Sequence, residues 1–209
     1  MDKQRTIFKQ FLYEHSLRFS DIEKRTGIRS NELAYYVKRL VDAGVLHKQS
    51  DAYALTQQAE QFIPFFQEHN IPSPLPVVLV GCFDEQGRVL LVRREKRPYK
   101  GLWSLPGGRI LLGETVEQAA QRIMKTKTFL DVEVSGVQTV GNERVLGAAG
   151  AKHGFILLYV RATPHSQVKE KETVRWFSLE DIDPAAMIAS DYALLTAKKS
   201  FYEFSCVDE

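Results

Sequence analysis

Cysteine is scarce. The 209-residue chain holds two, Cys82 and Cys206, and they form neither a metal-binding nor a redox spacing. A reduced, cytoplasmic setting fits that usage. No apolar run approaches the roughly 18 residues that a transmembrane helix needs. The charged start, Met-Asp-Lys-Gln-Arg, leads into an amphipathic segment and not into a signal peptide. No internal repeat or low-complexity tract appears, and neither charge sign dominates. A formal net charge of +2 rules no partner in or out, so any nucleic-acid surface must be a local patch. What is present is ordinary for a soluble globular chain, with 44% hydrophobic and 26% charged residues. The length suits one large domain or two small ones.

The first segment reads as helices followed by a hairpin. From Lys3 to His15, Ile7, Phe8, Phe11 and Leu12 share one helical face. Ser20-Asp21-Ile22-Glu23 has the form of a capping box opening a second helix, which Gly27 closes. Ser30 is the expected N-cap of a third helix carrying Leu33, Val37, Leu40 and Val41 and stopping near Gly44. Val45 to Lys48 and Ala52 to Leu55 are strand-like runs around a turn at Gln49-Ser50-Asp51. Thr56 then caps a last helix through Phe62, with Pro64 bending or shortening it. Two helices joined by the short turn at Gly27 to Arg29 are the sequence form of a helix-turn-helix.

This order, and the stretch AYYVKRLVDAGVLHKQSDAYALTQQAEQF in particular, resembles the winged-helix transcription regulators over residues 5 to 69. The resemblance makes Ser30 to Arg39 the recognition helix, with double-stranded DNA as partner. Asn31, Tyr35 and Tyr36 are the candidates for base or sugar contacts. Arg29, Ser30, Lys38 and Arg39, with His47 and Lys48 in the wing, complete the candidate interface. Between Lys24 and Lys48 six Lys/Arg face two acids, Glu32 and Asp42, a small basic patch suited to weak binding by a monomer. The bland alternative is a solvated helix face, with Tyr35 and Tyr36 bordering the core. A winged helix that only docks proteins is the competing module.

Proline alternates through Ile71-Pro72-Ser73-Pro74-Leu75-Pro76, the composition of an extended linker. The expected division is therefore residues 1–70, a linker at 71–76, and a second domain over 77–209. Pro76 to Phe83 is an apolar β-rich run, Asp84 to Gly87 a turn, and Arg88 to Arg93 a partner strand. Val132 to Arg144 reads as strand and loop, Gly154 to Ala162 as a central strand. Val134 to Ala151 carries several glycines and is a candidate mobile loop.

Between these lies Gly101 to Leu130, GLWSLPGGRILLGETVEQAAQRIMKTKTFL. Pro106-Gly107-Gly108 interrupts regular structure and allows close backbone approach to a ligand. Val116, Ala119, Ala120, Ile123 and Met124 follow at helical spacing. The stretch resembles the signature of the Nudix family, G-x5-E-x7-R-E-U-x-E-E-x-G-U with U aliphatic. Gly108, Glu114 and Arg122 fill its first three fixed positions. Ile123 stands where the family has a glutamate, Thr126 and Lys127 where it has a pair of glutamates, and Phe129 where it has a glycine. The resemblance extends over Pro76 to Lys199 and implies a mixed sheet between helices, so the whole chain reads as α/β (α+β), a winged helix followed by an α/β/α sandwich.

In that family the helix glutamates hold magnesium or manganese against a nucleoside diphosphate derivative, a task that suits carboxylates because hard cations prefer oxygen ligands. Isoleucine, threonine and an ammonium replace them here, so no catalytic residue and no metal ligand is assigned. What persists is a cleft for a phosphorylated nucleotide or sugar. Its candidate ligand-binding residues are Arg93, Arg94, Gly107, Gly108, Glu114 and Lys127, the arginines binding phosphate bidentately and the lysine as a point charge. For Lys127, a solvent-facing role is the alternative.

A DNA-binding head on such a domain resembles the Nudix-related transcriptional regulators, whose Nudix domain senses ADP-ribose or a phosphorylated sugar. Better-known members carry the winged helix last, whereas here it comes first. The expectation is a cytoplasmic regulator acting as a homodimer, with no membrane and no cofactor. The alternative is a Nudix hydrolase with an accessory N-terminal domain, which would need Mg2+ and carboxylates such as Glu114, Glu117 or Glu172. A protein-interaction module with neither activity is the third reading.

Overall fold

Apolar residues at helical spacing near the start of the chain fold into three helices against a small sheet. The computed structural model describes residues 3–65, 73–148, 150–166, 170–196 and 198–207. The chain divides into two units, Met1–Pro72 and Ser73–Glu209.

In the first unit, helix α1 (Lys3–Gln10) leads to strand β1 (Ser16–Arg18), α2 (Phe19–Thr26) and α3 (Ser30–Asp42). Strands β2 (Leu46–Gln49) and β3 (Ala52–Leu55) form a hairpin, followed by α4 (Gln57–Glu60) and a 3₁₀ turn at Ile63–Phe65. The sheet is antiparallel in the order β1-β3-β2. Ile7, Ile22, Leu33 and Leu46 are fully buried and share one core with Phe8, Phe11, Val37 and Leu40. Truncating any of the four to alanine would cost about 2–5 kcal/mol.

Several local expectations change. α1 ends at Gln10, and Phe11 reaches the core from a turn. α2 begins at Phe19, where Asp21 Oδ2 accepts from the Arg18 N–H (3.2 Å), so Ser20 is not its cap. Ser30 is the first residue of α3 and not its cap. Its hydroxyl donates to Glu23. Val41 is 36% exposed, since residues 33, 37, 40 and 41 span a wider arc than the core contacts. α4 is a single turn, and the rest of the expected helix becomes the 3₁₀ turn around Pro64. Thr56 does cap α4, accepting from the Ala59 N–H at 3.2 Å. Gly27 closes α2 in the left-handed region (φ 67°), where a Cβ would be strained.

The second unit contains β4 (Leu75–Cys82), β5 (Val89–Arg93), β6 (Trp103–Ser104), β7 (Gly107–Arg109) and helix α5 (Val116–Thr128). Next come β8 (Val132–Gly147), β9 (Gly150–Pro164), β10 (Val174–Phe177), α6 (Ala189–Leu195) and β11 (Phe201–Val207). Leu75 and Pro76, expected in the linker, open β4. Ile71 and Pro72 lie outside the described residues. The larger sheet runs β11-β8-β9-β4-β7 and is mixed: β4 pairs β9 in parallel and β7 antiparallel. The smaller sheet runs β10-β5-β6.

β9 is the central strand, as expected for Gly154 to Ala162, and β4 beside it is buried on both faces from Val78 to Cys82, as an interior strand of a sheet covered on two sides must be. Val78, Val80 and Cys82 pack against Ala119, Ala120, Ile123 and Met124 of α5. Leu79 belongs to the opposite cluster, with Leu105, Leu157, Met187 and Leu194. The glycines of residues 134–151 do not make a loop. They fall within the β8–β9 hairpin, whose register continues to Gly147↔Gly150.

Candidate functional site

The stretch from Pro106 to Thr128 builds its site from a strand, a tight connection and a helix. Gly107 and Gly108 do continue a regular element, pairing as β7 with Leu79 and Val78 of β4. Their small size serves packing first. A Cβ on Gly107 would lie 2.5 Å from Leu79 Cδ2, and one on Gly108 3.0 Å from Ile123 Cγ1. The strand can therefore lie close to both β4 and α5 only without side chains at these positions.

α5 is capped reciprocally: Thr115 Oγ1 accepts from the Gln118 N–H (3.2 Å), and Gln118 Oε1 from the Thr115 N–H (2.9 Å). Glu114, just before the cap, accepts from Arg122 Nη2 (2.7 Å) and from the Leu111 N–H (2.9 Å). Arg122 also donates to the Arg109 carbonyl at 2.9 Å. The hydrogen bond from Arg122, then that from Leu111, hold the Glu114 carboxyl down at about 2. Glu114 thus ties the start of α5 to its middle, and it lines neither of the cavities described below. α5 ends on Phe129 in the left-handed region (φ 64°), its N–H bonding the Lys125 carbonyl at 3.1 Å. This is the conformation that glycine occupies without strain.

Lys127, on the last turn of α5, lines two cavities. One, of about 440 Å³, is walled by Arg93, Arg94, Glu95, Lys96 and Thr173. The other, of about 260 Å³, adds Tyr99, Gly107, Gly108, Arg109, Glu143 and Asp191 to an apolar wall of Leu79, Phe155, Leu157 and Ile188. Arg94 is common to both. Its Nε donates to the Pro98 carbonyl (2.9 Å), and Arg93 Nε donates to that of Gly101 (3.0 Å), so backbone acceptors orient both guanidiniums. Loss of water in the cavity wall, then repulsion from Arg94, lower the Lys127 ammonium's pKa, and Asp191 offsets part of that. Five of the six expected ligand residues therefore meet around these cavities, while Glu114 stands apart in its ion pair.

Sequence reasoning missed the acidic wall. Asp191 is 3% exposed and Glu143 4%. Asp191 Oδ2 accepts from the Leu105 N–H at 2.8 Å. Glu143 Oε1 accepts from Ser190 Oγ (2.6 Å) and Tyr99 Oη (3.2 Å). A signal existed for Glu143, because Thr139, Gly141, Glu143 and Val145 are the buried phase of an alternating strand.

A divalent cation requires several oxygen donors converging on one point. Among the described residues, no three His, Cys, Asp or Glu side chains cluster in that way. Glu117 and Glu172 are exposed, and Glu114 is occupied by Arg122. The residues present do not fit the metal.

In the first unit, Arg29, Ser30, Asn31, Lys38, Arg39 and Lys48 are exposed, and His47 is half-buried. Tyr35 is 56% exposed, with the Arg39 guanidinium 5.8 Å from its ring centroid and Tyr36 edge-on at 5.2 Å. Tyr36 packs on the core. Asn31, Tyr35, Lys38 and Arg39 recur at helical spacing on α3 and share one face. Glu32 pairs with Lys3 of α1 and so does not oppose that face's charge.

Comparison with known proteins agrees with the architecture of the second unit. The chain is 40% identical over 118 residues to an ADP-ribose pyrophosphatase of Methanocaldococcus jannaschii, covering 56% of this chain and 69% of that protein. It is 30% identical over 129 residues to the ADPR responsive transcriptional repressor NtrR of Acinetobacter baylyi, covering 58% of this chain and 51% of the repressor. The fold is similar to that of a MutT NUDIX hydrolase from Burkholderia pseudomallei, with TM-score 0.53 and 22% identity over 61% of this chain and 100% of that one. The NUDIX domain model matches residues 73–198, more than half of the sequence, and the chain belongs to the NUDIX family.

Proposed function

We propose that the chain is a cytoplasmic DNA-binding transcriptional regulator whose NUDIX domain senses a nucleotide or phosphorylated sugar without hydrolysing it. The observation that carries this reading is Lys127. At the end of α5 the pocket receives an ammonium, beside Arg94, where the family signature has a glutamate. Fixed cations can hold a diphosphate with no metal, and a pocket without metal ligands lacks the metal's activation of water toward phosphorus. The similarity to a repressor described as ADPR responsive supports ADP-ribose as the first ligand to test.

The first unit is the proposed winged helix, with α2 and α3 as the helix-turn-helix and β2–β3 as the wing. Asn31 and Tyr35 would meet bases, and Arg29, Lys38, Arg39 and Lys48 phosphates, with His47 beside them. Tyr36, being packed on the core, would serve by holding Tyr35 and not by direct contact. Dimers would read half-sites about 34 Å apart, and a ligand that binds the two dimer arrangements unequally would set their spacing. Selection of the full chain on a random pool of duplex DNA tests this. A recurrent two-fold site, weakened by salt and altered by ADP-ribose, is expected. Recovery of only salt-sensitive, sequence-independent binding would refute it.

The second reading, a hydrolase, is favoured by the 40% identity to an ADP-ribose pyrophosphatase. It would require Glu114 to leave Arg122 and join Glu117 or Glu172 around Mg2+.

A further inference from the structure

The cavity of about 260 Å³ is lined by two buried acids and three cations, an arrangement that a simple anion-binding pocket does not need. Asp191 stands on α6, and Glu143 reaches the same cavity from β8. Arg94 comes from the segment after β5, Lys127 from α5, Arg109 from β7 and Tyr99 from the turn before β6. Glu143 is engaged by the hydroxyls of Ser190 and Tyr99. Asp191 has one hydrogen bond among the described residues, from the Leu105 N–H to Oδ2, and it lines the same cavity as the cations. Burying a carboxylate is costly unless charges compensate it. Arg94 and Lys127 are the groups that do so for Asp191.

We propose that Asp191 is the resident counter-anion of the ligand pocket: it balances Arg94 and Lys127 in the empty site and takes up a proton from solvent when a diphosphate claims those cations. The inference rests on the pocket assignment made above and adds a proton to the binding equilibrium. An arriving anion acts on Asp191 twice. It removes the charge compensation of the two cations, and it brings negative charge to the same cavity, so the neutral acid becomes the favoured form. Asp191 is suited to the exchange because burial, reinforced by Glu143, already raises its carboxyl to about 7 against the opposing Leu105 N–H, Arg94 and Lys127. Affinity for a diphosphate would then fall as pH rises above neutrality, towards tenfold per pH unit.

Calorimetric titration of the full chain with ADP-ribose at pH 7.5, in buffers of low and high ionisation enthalpy, measures the proton directly. The diphosphate of ADP-ribose does not titrate near neutrality, so any proton comes to the protein. We expect uptake of between about half and three quarters of a proton per ligand in the parent, since about a quarter of Asp191 already carries its proton at that pH. Asp191→Asn keeps an oxygen for the Leu105 N–H and is expected to bind with heat independent of buffer. A second variant, Lys127→Gln, is expected to reduce uptake, because Asp191 is then already largely protonated in the empty site. Buffer-independent heat in the parent, or uptake that persists in Asp191→Asn, would overturn the counter-anion role while leaving the pocket assignment intact. Absence of binding heat in parent and variants would remove the pocket assignment and the inference with it.

Discussion

Replacing Asp191 by asparagine is expected to flatten the pH dependence of the second unit's stability. Burial is the largest influence on the Asp191 carboxyl, Glu143 adds to it, and the result lies at about 7 despite Leu105, Arg94 and Lys127. In the unfolded chain an aspartate titrates near about 4. Between these two values the folded state keeps a proton that the unfolded state has released. The stabilising effect of the neutral form is therefore complete below about pH 4, declines as pH rises, and is exhausted above about pH 7. Each pH unit is worth about 1.4 kcal/mol, which sets an upper bound of about 4 kcal/mol over the window. Asparagine has no such equilibrium and can still accept from the Leu105 N–H. Its stability relative to the parent should thus improve by about 2–3 kcal/mol between pH 5 and pH 7, then level off. Urea denaturation at pH 5, 6, 7 and 8, followed by tryptophan fluorescence, reads this unit alone, since the two tryptophans, Trp103 and Trp176, both lie in it. Parallel profiles for parent and variant would refute the reasoning.

Gly107→Ala is expected to destabilise the same unit by about 1–3 kcal/mol, because its Cβ meets Leu79 across paired backbones; an unchanged urea midpoint would show that β7 can shift. Phe129→Gly should stabilise it by up to about 1 kcal/mol by relieving the left-handed cap, less whatever the Lys171 ammonium, 4.6 Å from the ring centroid, contributes. A lower urea midpoint in that variant would mean the Lys171 contact outweighs the strain. Lys127→Glu should weaken ADP-ribose binding by at least tenfold without metal, and calorimetry finding equal affinity would remove Lys127 from the site. Arg39→Ala should lower the salt dependence of DNA affinity by about one unit of slope, and an unchanged slope would exclude a phosphate contact.

Where the chain's periodicity is strong, its structure was legible. Leu33, Val37 and Leu40 recur at helical spacing and are buried, and Thr56 has the side chain its cap requires. β1 is three residues long and owes its existence to pairing with Ala52–Ala54, so nothing in Ser-Leu-Arg announces it. The glycines of β8 and β9 suggested a loop because glycine disfavours strands, yet a long register between two strands outweighed that local preference. Gly107 and Gly108 pointed to a ligand and turned out to face Leu79 and Ile123 as well. The basic side of the pocket could be read from the signature, because Lys127 stands at a fixed position within it. Its acidic side could not. Asp191 meets Leu105 across 86 residues of sequence, and only the fold brings α6 to that cavity.

The pocket is proposed to bind its ligand through fixed cations and not to hydrolyse it. Thermal denaturation of the full chain with ADP-ribose, with and without Mg2+, combined with an assay for released AMP and ribose phosphate, separates binding from hydrolysis. Stabilisation of equal size in both conditions with no product is the predicted result. Stabilisation that requires Mg2+ and is followed by hydrolysis would contradict this and make the chain an enzyme.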